Sequence, residues 1–222
     1  MSRWLTLLVI TFITAVVFIF FFLRLRPVWT PEKEQSEAAS TTATLETPTV
    51  TFINPAKGAS QPKVTIVEFS DFQCPACKEL ATTLEVVLRT DPTVQLVWKD
   101  LPNESLHNLA VSTAIAARCA AAQGKFWEYH DAIFEDQITL SETKLKSLAQ
   151  DLSLDIEKFQ KCLTNQETLP LVKKDFEEGT ALQITATPIL FIGPERLAGA
   201  VTAEEILSVI KKQKTSETTE IK

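Results

Sequence analysis

Runs of apolar residues along the chain alternate with amphipathic stretches, and their order predicts an α/β fold. Residues 64–70 (VTIVEFS) and 94–98 (VQLVW) are rich in β-branched and aromatic residues, which predicts two buried strands. Between them, apolar residues recur at helical spacing from Cys77 to Leu88, with polar residues on the opposite face. A strand, a helix and a strand of these lengths predict a βαβ unit with a right-handed crossover.

A helical block follows this unit, and the chain then returns to strands. The predicted helices have a capping residue at one end or a glycine beyond the other, and they cover residues 105–123 (before Gly124), 125–135, a segment capped by Ser141 or Thr139, a segment capped by Asp155, and 166–182. Residues 189–192 and 196–201 predict a β-hairpin, and the capping box at 202–205 begins a last helix. The fold class is therefore α/β, one domain with a helical insertion at about residues 102–182.

The first 26 residues have a different pattern, an apolar run without a charge from Trp4 to Leu23. At ~1.5 Å per residue, a helix of this length covers roughly 30 Å, one hydrocarbon core. A cleaved signal peptide is the alternative, but its apolar region usually has about 7–15 residues and ends at small residues. This run is longer and ends at Arg24. We therefore predict a membrane anchor at residues 1–26, and arginines at both of its ends leave the orientation open.

Composition and charge describe the rest of the chain. Residues 27–48 are rich in Thr, Glu, Ala and Pro, which predicts a flexible linker; residues 49–213 then form the domain, and 214–222 a disordered tail. The chain of 222 residues is 45% hydrophobic and has a net charge of −6. Residues 1–26 contain arginines and no acids, so the domain is more acidic still. Its lack of basic clusters argues against nucleic acid as a partner.

Two of the four cysteines form the motif Cys74-Pro75-Ala76-Cys77, where the first predicted strand gives way to the helix. Unpaired backbone N–H groups and the helix dipole at this point favour a thiolate at Cys74, whereas Cys77 begins the apolar helix face. We therefore expect Cys74 to be exposed and reactive and Cys77 to be shielded and resolving. Zinc binding is the main alternative, but it needs further ligands at suitable spacing. The remaining Cys and His residues stand apart in the sequence: His107, Cys119, His130 and Cys162.

At this point the chain resembles the DsbA-like thiol:disulfide oxidoreductases, a branch of the thioredoxin fold. The segments that carry the resemblance are residues 67–77 (VEFSDFQCPAC), 119–131 (CAAAQGKFWEYHD), 158–163 (KFQKCL) and 187–188 (TP). It spans about residues 50–212 and implies a thioredoxin core with a helical insertion. It further implies that Pro188 is a cis-proline facing the two cysteines, and that Thr187, Pro75 and Ala76 contact the substrate.

Glu68 lies in the middle of the first predicted strand, among apolar residues. A carboxyl group buried there would have a raised pKa and could exchange protons with Cys77 during turnover. The alternative is a strand residue that faces solvent. The resemblance places an acidic residue at this position, so we take Glu68 as a catalytic candidate.

Cys119 and Cys162 each lie on an apolar face of a predicted helix in the insertion. The pattern alone leaves two separate buried thiols possible, because free cysteines are commonly buried. The resemblance includes members with a second disulfide in this region, and so it implies a Cys119–Cys162 bond. Such a bond, together with the anchor, points to an oxidising compartment outside the cytoplasm.

Together with the predicted anchor, the resemblance implies a membrane-anchored oxidoreductase that forms disulfides in exported proteins by exchange at Cys74 and Cys77; we expect no cofactor and no metal. A quinone-linked thiol oxidase of the membrane would reoxidise it, and a monomer is the simplest expectation. The alternatives are a thiol reductase or disulfide isomerase of the same fold, or a non-catalytic binding module. Ala76 stands where the best-known members have His, which predicts a less oxidising pair.

Overall fold

The computed structural model describes residue 4, residues 12–14 and 16–21, and residues 46–220, the last four of these as backbone only. Residues 12–14 and 16–21 are helical. Within the described ranges, no helix is both long and apolar enough to cross a membrane. The predicted anchor (residues 1–26) and linker (residues 27–48) lie mostly outside these ranges, so both stay predictions.

The strands of the described domain form one sheet in the order β1-β3-β2-β4-β5. Their bounds are β1 Ala56–Gly58, β2 Val64–Ser70, β3 Val94–Asp100, β4 Ile189–Ile192 and β5 Glu195–Ala198. β2 is parallel to β3, with Val64 opposite Val94 and Ser70 opposite Asp100, and the other pairs are antiparallel. The predicted βαβ unit and hairpin are confirmed, although the hairpin ends earlier than expected.

The helices of the domain are α1 Pro75–Thr90, α2 Ala110–Ala121, α3 Phe126–Glu135, α4 Glu142–Asp151, α5 Ile156–Thr164, α6 Leu169–Ala181 and α7 Ala203–Glu220, with a 3₁₀ turn at Gln137–Thr139. Helices α2 to α6 lie between β3 and β4 and form the predicted insertion. Ser141 and Asp155 cap α4 and α5, each accepting a hydrogen bond from a backbone N–H of the first turn. Ser141, and not Thr139, is thus the cap of α4.

Helices cover both faces of the sheet. On one face, Leu84 of α1 and Ile210 of α7 pack with Ile66 of β2. On the other face α6 approaches the sheet so closely that a Cβ atom on Gly179 would lie 2.7 Å from a methyl carbon of Leu101. A side chain at that position would first have to displace the Leu101 methyl group, so glycine is the residue that fits without a shift.

A buried network of charges joins the insertion to the sheet. Arg118 of α2 contacts Asp100 of β3 and Asp175 of α6, both at 2.5 Å. Lys99 of β3 contacts Asp175 at 3.2 Å and Glu178 of α6 at 2.6 Å. Charges taken out of water are stable only when they are paired and hydrogen-bonded, so this network fixes how α2 and α6 lie against β3.

The disulfide implied by the resemblance is present. It joins Cys119 of α2 to Cys162 of α5, whose Cα atoms lie 5.9 Å apart. It therefore links two helices of the insertion that are separated by 43 residues in the sequence.

The structure corrects two predicted helix boundaries near the site. Helix α2 begins at Ala110, not at residue 105, and α6 begins at Leu169, not at residue 166. Before α2, hydrogen bonds to Asp71 and Gln73 hold the loop that follows β3 in an irregular conformation. These distant contacts outweigh the helical propensity of the sequence.

The structure also corrects the predicted tail. Helix α7 continues to Glu220, so residues 214–220 are helical and not disordered. The physical reason is at Lys214, whose ammonium group contacts the Asp91 carboxylate and the Thr93 hydroxyl. These bonds hold the helix to the loop before β3.

Candidate active site

The two cysteines of the motif lie at the start of α1 with unequal exposure. Cys74 is the N-cap residue of the helix, and Pro75 occupies its first turn. Cys74 is 8% exposed and Cys77 is 0% exposed, and both are free thiols. The predicted order of exposure is therefore correct, but Cys74 is more covered than expected because Thr187 and Gln137 lie against it.

The environment of Cys74 favours its thiolate. Its pKa falls from 9.0 to about 5, first because the Cys77 thiol donates a hydrogen bond to its sulfur. The Thr187 side chain and the backbone N–H groups of Cys77 and Ala76 lower the pKa further, against the opposing effect of burial. Ala76 thus acts through its backbone, at the helix end where N–H groups are unpaired.

The environment of Cys77 does the opposite. Burial raises the pKa of its thiol above the ordinary value, and the neighbouring Cys74 adds to the rise. Its sulfur accepts a hydrogen bond of 3.5 Å from the backbone N–H of Asp71. At neutral pH, Cys74 is therefore the thiolate of the pair and Cys77 keeps its proton.

The loop before β4 completes the surroundings of Cys74. The Thr187–Pro188 peptide bond is cis, as the resemblance implies. The Thr187 carbonyl oxygen lies 3.5 Å from the Cys74 sulfur, across 113 residues of sequence, and accepts a hydrogen bond from it while Cys74 holds its proton. Thr187 and Pro188 therefore lie where a chain bonded to the Cys74 sulfur would meet the protein backbone. Pro75 is exposed on the same side of the helix end.

Glu68 is buried in β2 and does not face solvent. Its side chain is 0% exposed, and neither carboxylate oxygen has a hydrogen-bond partner in the described part of the chain. Burial raises its pKa from 4.5 to about 7, and the Ser70 side chain and the charge of Lys57 oppose this only in part. The carboxyl group therefore changes protonation near neutral pH, which is what a proton donor and acceptor needs.

The sequence reasoning missed a set of contacts that hold the residues just before Cys74. The Asp71 carboxylate accepts hydrogen bonds from the backbone N–H groups of Gln73 and Asn103, each at 2.8 Å. It also lies 2.9 Å from Nδ1 of His107. The loop after β3 is thereby fixed against the active-site segment. Only the proximity of Asp71 to the motif could have signalled this role in the sequence.

A second missed contact comes from the insertion. The side-chain amide of Gln137 donates hydrogen bonds of 2.9 Å to the carbonyl oxygens of Phe72 and Cys74. Gln137 lies in the 3₁₀ turn after α3, and no pattern in the sequence distinguishes it from other polar residues. Its position shows that the insertion helps to shape the active site. Among the side chains described in residues 46–216, no group of three or more His, Cys, Asp or Glu is placed to hold a metal ion.

The sheet order, the cis-proline loop and the paired cysteines at a helix start together define a dithiol site on a thioredoxin fold. A model of the thioredoxin family matches residues 33–212. The chain therefore belongs to the thioredoxin family.

Two solved structures share this fold. A thioredoxin-like oxidoreductase from Silicibacter pomeroyi DSS-3 aligns with a TM-score of 0.67 and 24% identity, over 74% of this chain and 94% of the other. The thiol-disulfide exchange protein alpha-DsbA2 from Wolbachia pipientis aligns with a TM-score of 0.66 and 18% identity, over 72% of this chain and 87% of the other. At such low identities these likenesses show the fold.

A curated relative is larger than this chain. The Na(+)/H(+) antiporter NhaA 3 of Salinispora tropica is 30% identical over 154 residues, which make up 69% of this chain and 24% of the antiporter. The chain thus spans about a quarter of the length of the curated relatives that it matches.

Proposed function

We propose that the chain is a protein thiol:disulfide oxidoreductase that forms disulfides in exported proteins by exchange at Cys74 and Cys77. The observation that carries this proposal is the unequal environment of two free thiols at the start of α1: Cys77 is fully buried, whereas Cys74 is the N-cap residue, where the helix end favours its thiolate. A purely structural pair of cysteines would not need this difference. The Thr187 carbonyl beside the first sulfur supports the same interpretation.

In the first step, the thiolate of a substrate cysteine attacks the Cys74 sulfur of the oxidised Cys74–Cys77 pair. The bond between the two enzyme sulfurs breaks, a bond forms between the substrate sulfur and Cys74, and Cys77 leaves with the electron pair. The substrate approaches Cys74 because Cys77 is fully buried. The mixed disulfide then lies against Thr187 and Pro188.

In the second step, another substrate thiolate attacks the substrate sulfur of the mixed disulfide, and Cys74 leaves as a thiolate. The substrate has lost two electrons and gained a disulfide, and the enzyme pair has gained the two electrons. A thiolate with a low pKa is a good leaving group, so the environment of Cys74 favours this release.

Glu68 supplies the proton that the Cys77 sulfur takes up when it leaves. Glu68 and Ser70 lie two positions apart in β2 and therefore share a face of the strand. Ser70 is close enough to Cys77 to affect the pKa of its thiol. A carboxylic acid with a pKa of about 7 on that face can protonate the departing Cys77 sulfur and later take the proton back.

The pKa of Cys74 also supports the oxidising direction, because a stable thiolate stabilises the reduced pair. A value of about 5 for Cys74 lies between about 7 for thioredoxin and about 3.5 for DsbA. This agrees with the expectation that Ala76 makes the pair less oxidising than a histidine would.

The proposal includes a location. The Cys119–Cys162 disulfide supports an oxidising compartment outside the cytoplasm. The apolar run before residue 26 supports a single-pass anchor in the cell membrane. A quinone-linked thiol oxidase of that membrane would return the reduced pair to the disulfide.

The potential of the pair tests the direction of the reaction. The full chain is equilibrated with glutathione buffers, and the oxidised fraction of the pair is read by alkylation of the free thiols. A value near about −270 mV would make the protein a reductant and overturn the oxidising role.

Trapping tests whether the pair reacts with proteins at all. The variant Cys77→Ala lacks the resolving thiol and should accumulate mixed disulfides with exported proteins through Cys74. The variant Cys74→Ser is the matched control and should accumulate none. If the first variant traps no partner, the chain is a non-catalytic binding module and the proposal fails.

A further inference from the structure

One side chain of the helical insertion, Gln137, is bonded directly to the backbone of the active-site segment. Its amide nitrogen donates hydrogen bonds of 2.9 Å to the carbonyl oxygens of Phe72 and Cys74. These bonds cross 65 and 63 residues of sequence. A side-chain amide nitrogen has two N–H donors, and both are used here. Gln137 therefore holds the chain on either side of Gln73, directly before helix α1.

The 3₁₀ turn that carries Gln137 is itself tied to neighbouring helices. Asp136 precedes the turn, and its carboxylate contacts the ammonium group of Lys144 in α4 at 2.8 Å. The ammonium group of Lys78 in α1 donates a hydrogen bond of 3.2 Å to the carbonyl oxygen of Glu135, the last residue of α3. These contacts keep the Gln137 amide beside the start of α1.

The carbonyl group of Cys74 lies where the extended chain turns into the helix. Cys74 is the N-cap residue, with backbone angles φ −76° and ψ 121°. Its carbonyl oxygen accepts hydrogen bonds from the backbone N–H groups of Cys77 at 3.1 Å and Lys78 at 3.3 Å. The next residue, Pro75, has no N–H group that could help to hold this peptide unit. The Gln137 bond therefore adds a contact from outside the helix at the point where the chain changes direction.

The position of this peptide unit determines where the Cys74 sulfur lies. The Cys77 thiol and the N–H groups of Cys77 and Ala76 lower the pKa of Cys74 to about 5, against the effect of burial. Hydrogen bonds weaken steeply when their angle or length changes. A rotation of the Cys74 backbone would therefore take the sulfur away from the groups that stabilise its thiolate.

We propose that Gln137 is a positioning residue for the exchange reaction, because it holds the Cys74 carbonyl so that the Cys74 sulfur stays at the end of α1, where a thiolate is favoured. This inference rests on the exchange function proposed above. Gln137 acts through the backbone of Cys74, so its loss should change the reactivity of the sulfur and not only the stability of the fold. A thiolate held in this position is also the better leaving group when Cys74 is released from a mixed disulfide.

Alkylation by iodoacetamide measures this effect in the full chain with its active-site pair reduced, because the thiolate is the form that reacts. At pH 5 about half of Cys74 is thiolate, and at pH 8 nearly all of it is, since its pKa is about 5. Cys77 is buried and keeps its proton, so the rate reports Cys74. Gln137→Met keeps the length of the side chain but removes its donors. The ratio of the rate at pH 5 to the rate at pH 8 should fall about fivefold in this variant, which is the effect of one ordinary hydrogen bond.

Two further variants make the test specific. Gln137→Glu replaces the donating amide nitrogen by an oxygen and should also lower the ratio. Gln150→Met is the matched control, because Gln150 is exposed on α4 and the same change there should leave the ratio as it is. Equilibration with glutathione at pH 7 gives a second readout. Gln137→Met should make the pair less oxidising, because its reduced form loses part of the stabilisation of the thiolate.

An unchanged ratio in both Gln137 variants would overturn the inference, and so would an equal fall in Gln150→Met. A lower resistance to urea with an unchanged ratio would assign Gln137 a structural role alone. In each of these cases the exchange function stands if glutathione still reduces the oxidised pair. If glutathione does not reduce the oxidised pair of the unaltered chain, the exchange function itself fails and this inference falls with it.

Discussion

The buried carboxyl group of Glu68 makes the stability of the domain depend on pH, and Glu68→Gln should abolish that dependence. Glutamine has nearly the same shape but cannot ionise. In the folded protein the pKa of Glu68 is raised from 4.5 to about 7 by burial. This shift means that the folded domain is about 3 kcal/mol more stable with Glu68 neutral than with Glu68 ionised.

The sign of the effect follows from proton binding. Because the folded state holds the Glu68 proton more tightly than the unfolded state does, the neutral carboxyl contributes its stability fully below pH 4.5. That contribution is lost as the pH rises through about 7. The Glu68→Gln variant has no such contribution to lose, because glutamine does not ionise. Its stability relative to the unaltered chain should therefore rise by about 3 kcal/mol between acidic and mildly alkaline pH.

Urea unfolding of the oxidised proteins at a series of pH values measures this difference, because oxidation removes the two thiols from the titration. Glu79→Gln is the matched control, since it makes the same chemical change at a residue that is exposed on α1. If the Glu68→Gln difference varied with pH no more than that of the control, Glu68 would not be buried as a titrating group. The proton role proposed for it would then fail.

Three other predictions concern the thiols, the disulfide and the buried charges. Cys77→Ala should raise the pKa of Cys74, because the Cys77 hydrogen bond is the first cause of its low value, and thiolate absorbance measures this. Replacing Cys119 and Cys162 together by Ala should lower the free energy of unfolding in urea by about 2–4 kcal/mol. Arg118→Met should cost about 3–5 kcal/mol in the same assay, because it leaves buried carboxylates unpaired.

A specific result would contradict each of these three predictions. An unchanged pKa in the Cys77→Ala variant would assign the low value to the helix end alone. Equal unfolding free energies with and without the second disulfide would mean that it does not stabilise the fold. The control for Arg118→Met is Asp175→Asn, which removes one of three acids that share two bases and should therefore cost less. Equal costs would contradict this account of the network.

The sequence predicted the core of the fold where the local pattern and the final packing agree. Strands β2 and β3 are rich in β-branched and aromatic residues, and α1 has one apolar face, so the sequence predicted their positions directly. Strand β1 was missed because Ala56–Gly58 has almost no β-propensity, and it is a strand only because it pairs with β3. Its existence depends on a contact between distant residues.

Some residues of the active site were likewise predictable from the sequence, and others were not. Cys74 and Cys77 were predicted from their spacing and from the helix that follows them. The expectation for Thr187 and Pro188 came from a family resemblance. In the structure the peptide bond between them is cis, and the Thr187 carbonyl oxygen lies 3.5 Å from the Cys74 sulfur. Gln137 could not be predicted in either way, because a lone glutamine in a turn has no pattern. The local sequence pattern does not show which distant residue a side chain will contact in the folded protein.

The separation between Cys74 and Thr187, 113 residues, has a consequence for synthesis of the chain. A ribosome makes the cysteine pair long before it makes the loop that later contacts the first sulfur. Until then Cys74 lacks the Thr187 contact and is one of several thiols that can be oxidised. Four cysteines allow three pairings. The chain is therefore itself a protein that must form its disulfide between the correct cysteines before it can form them in others.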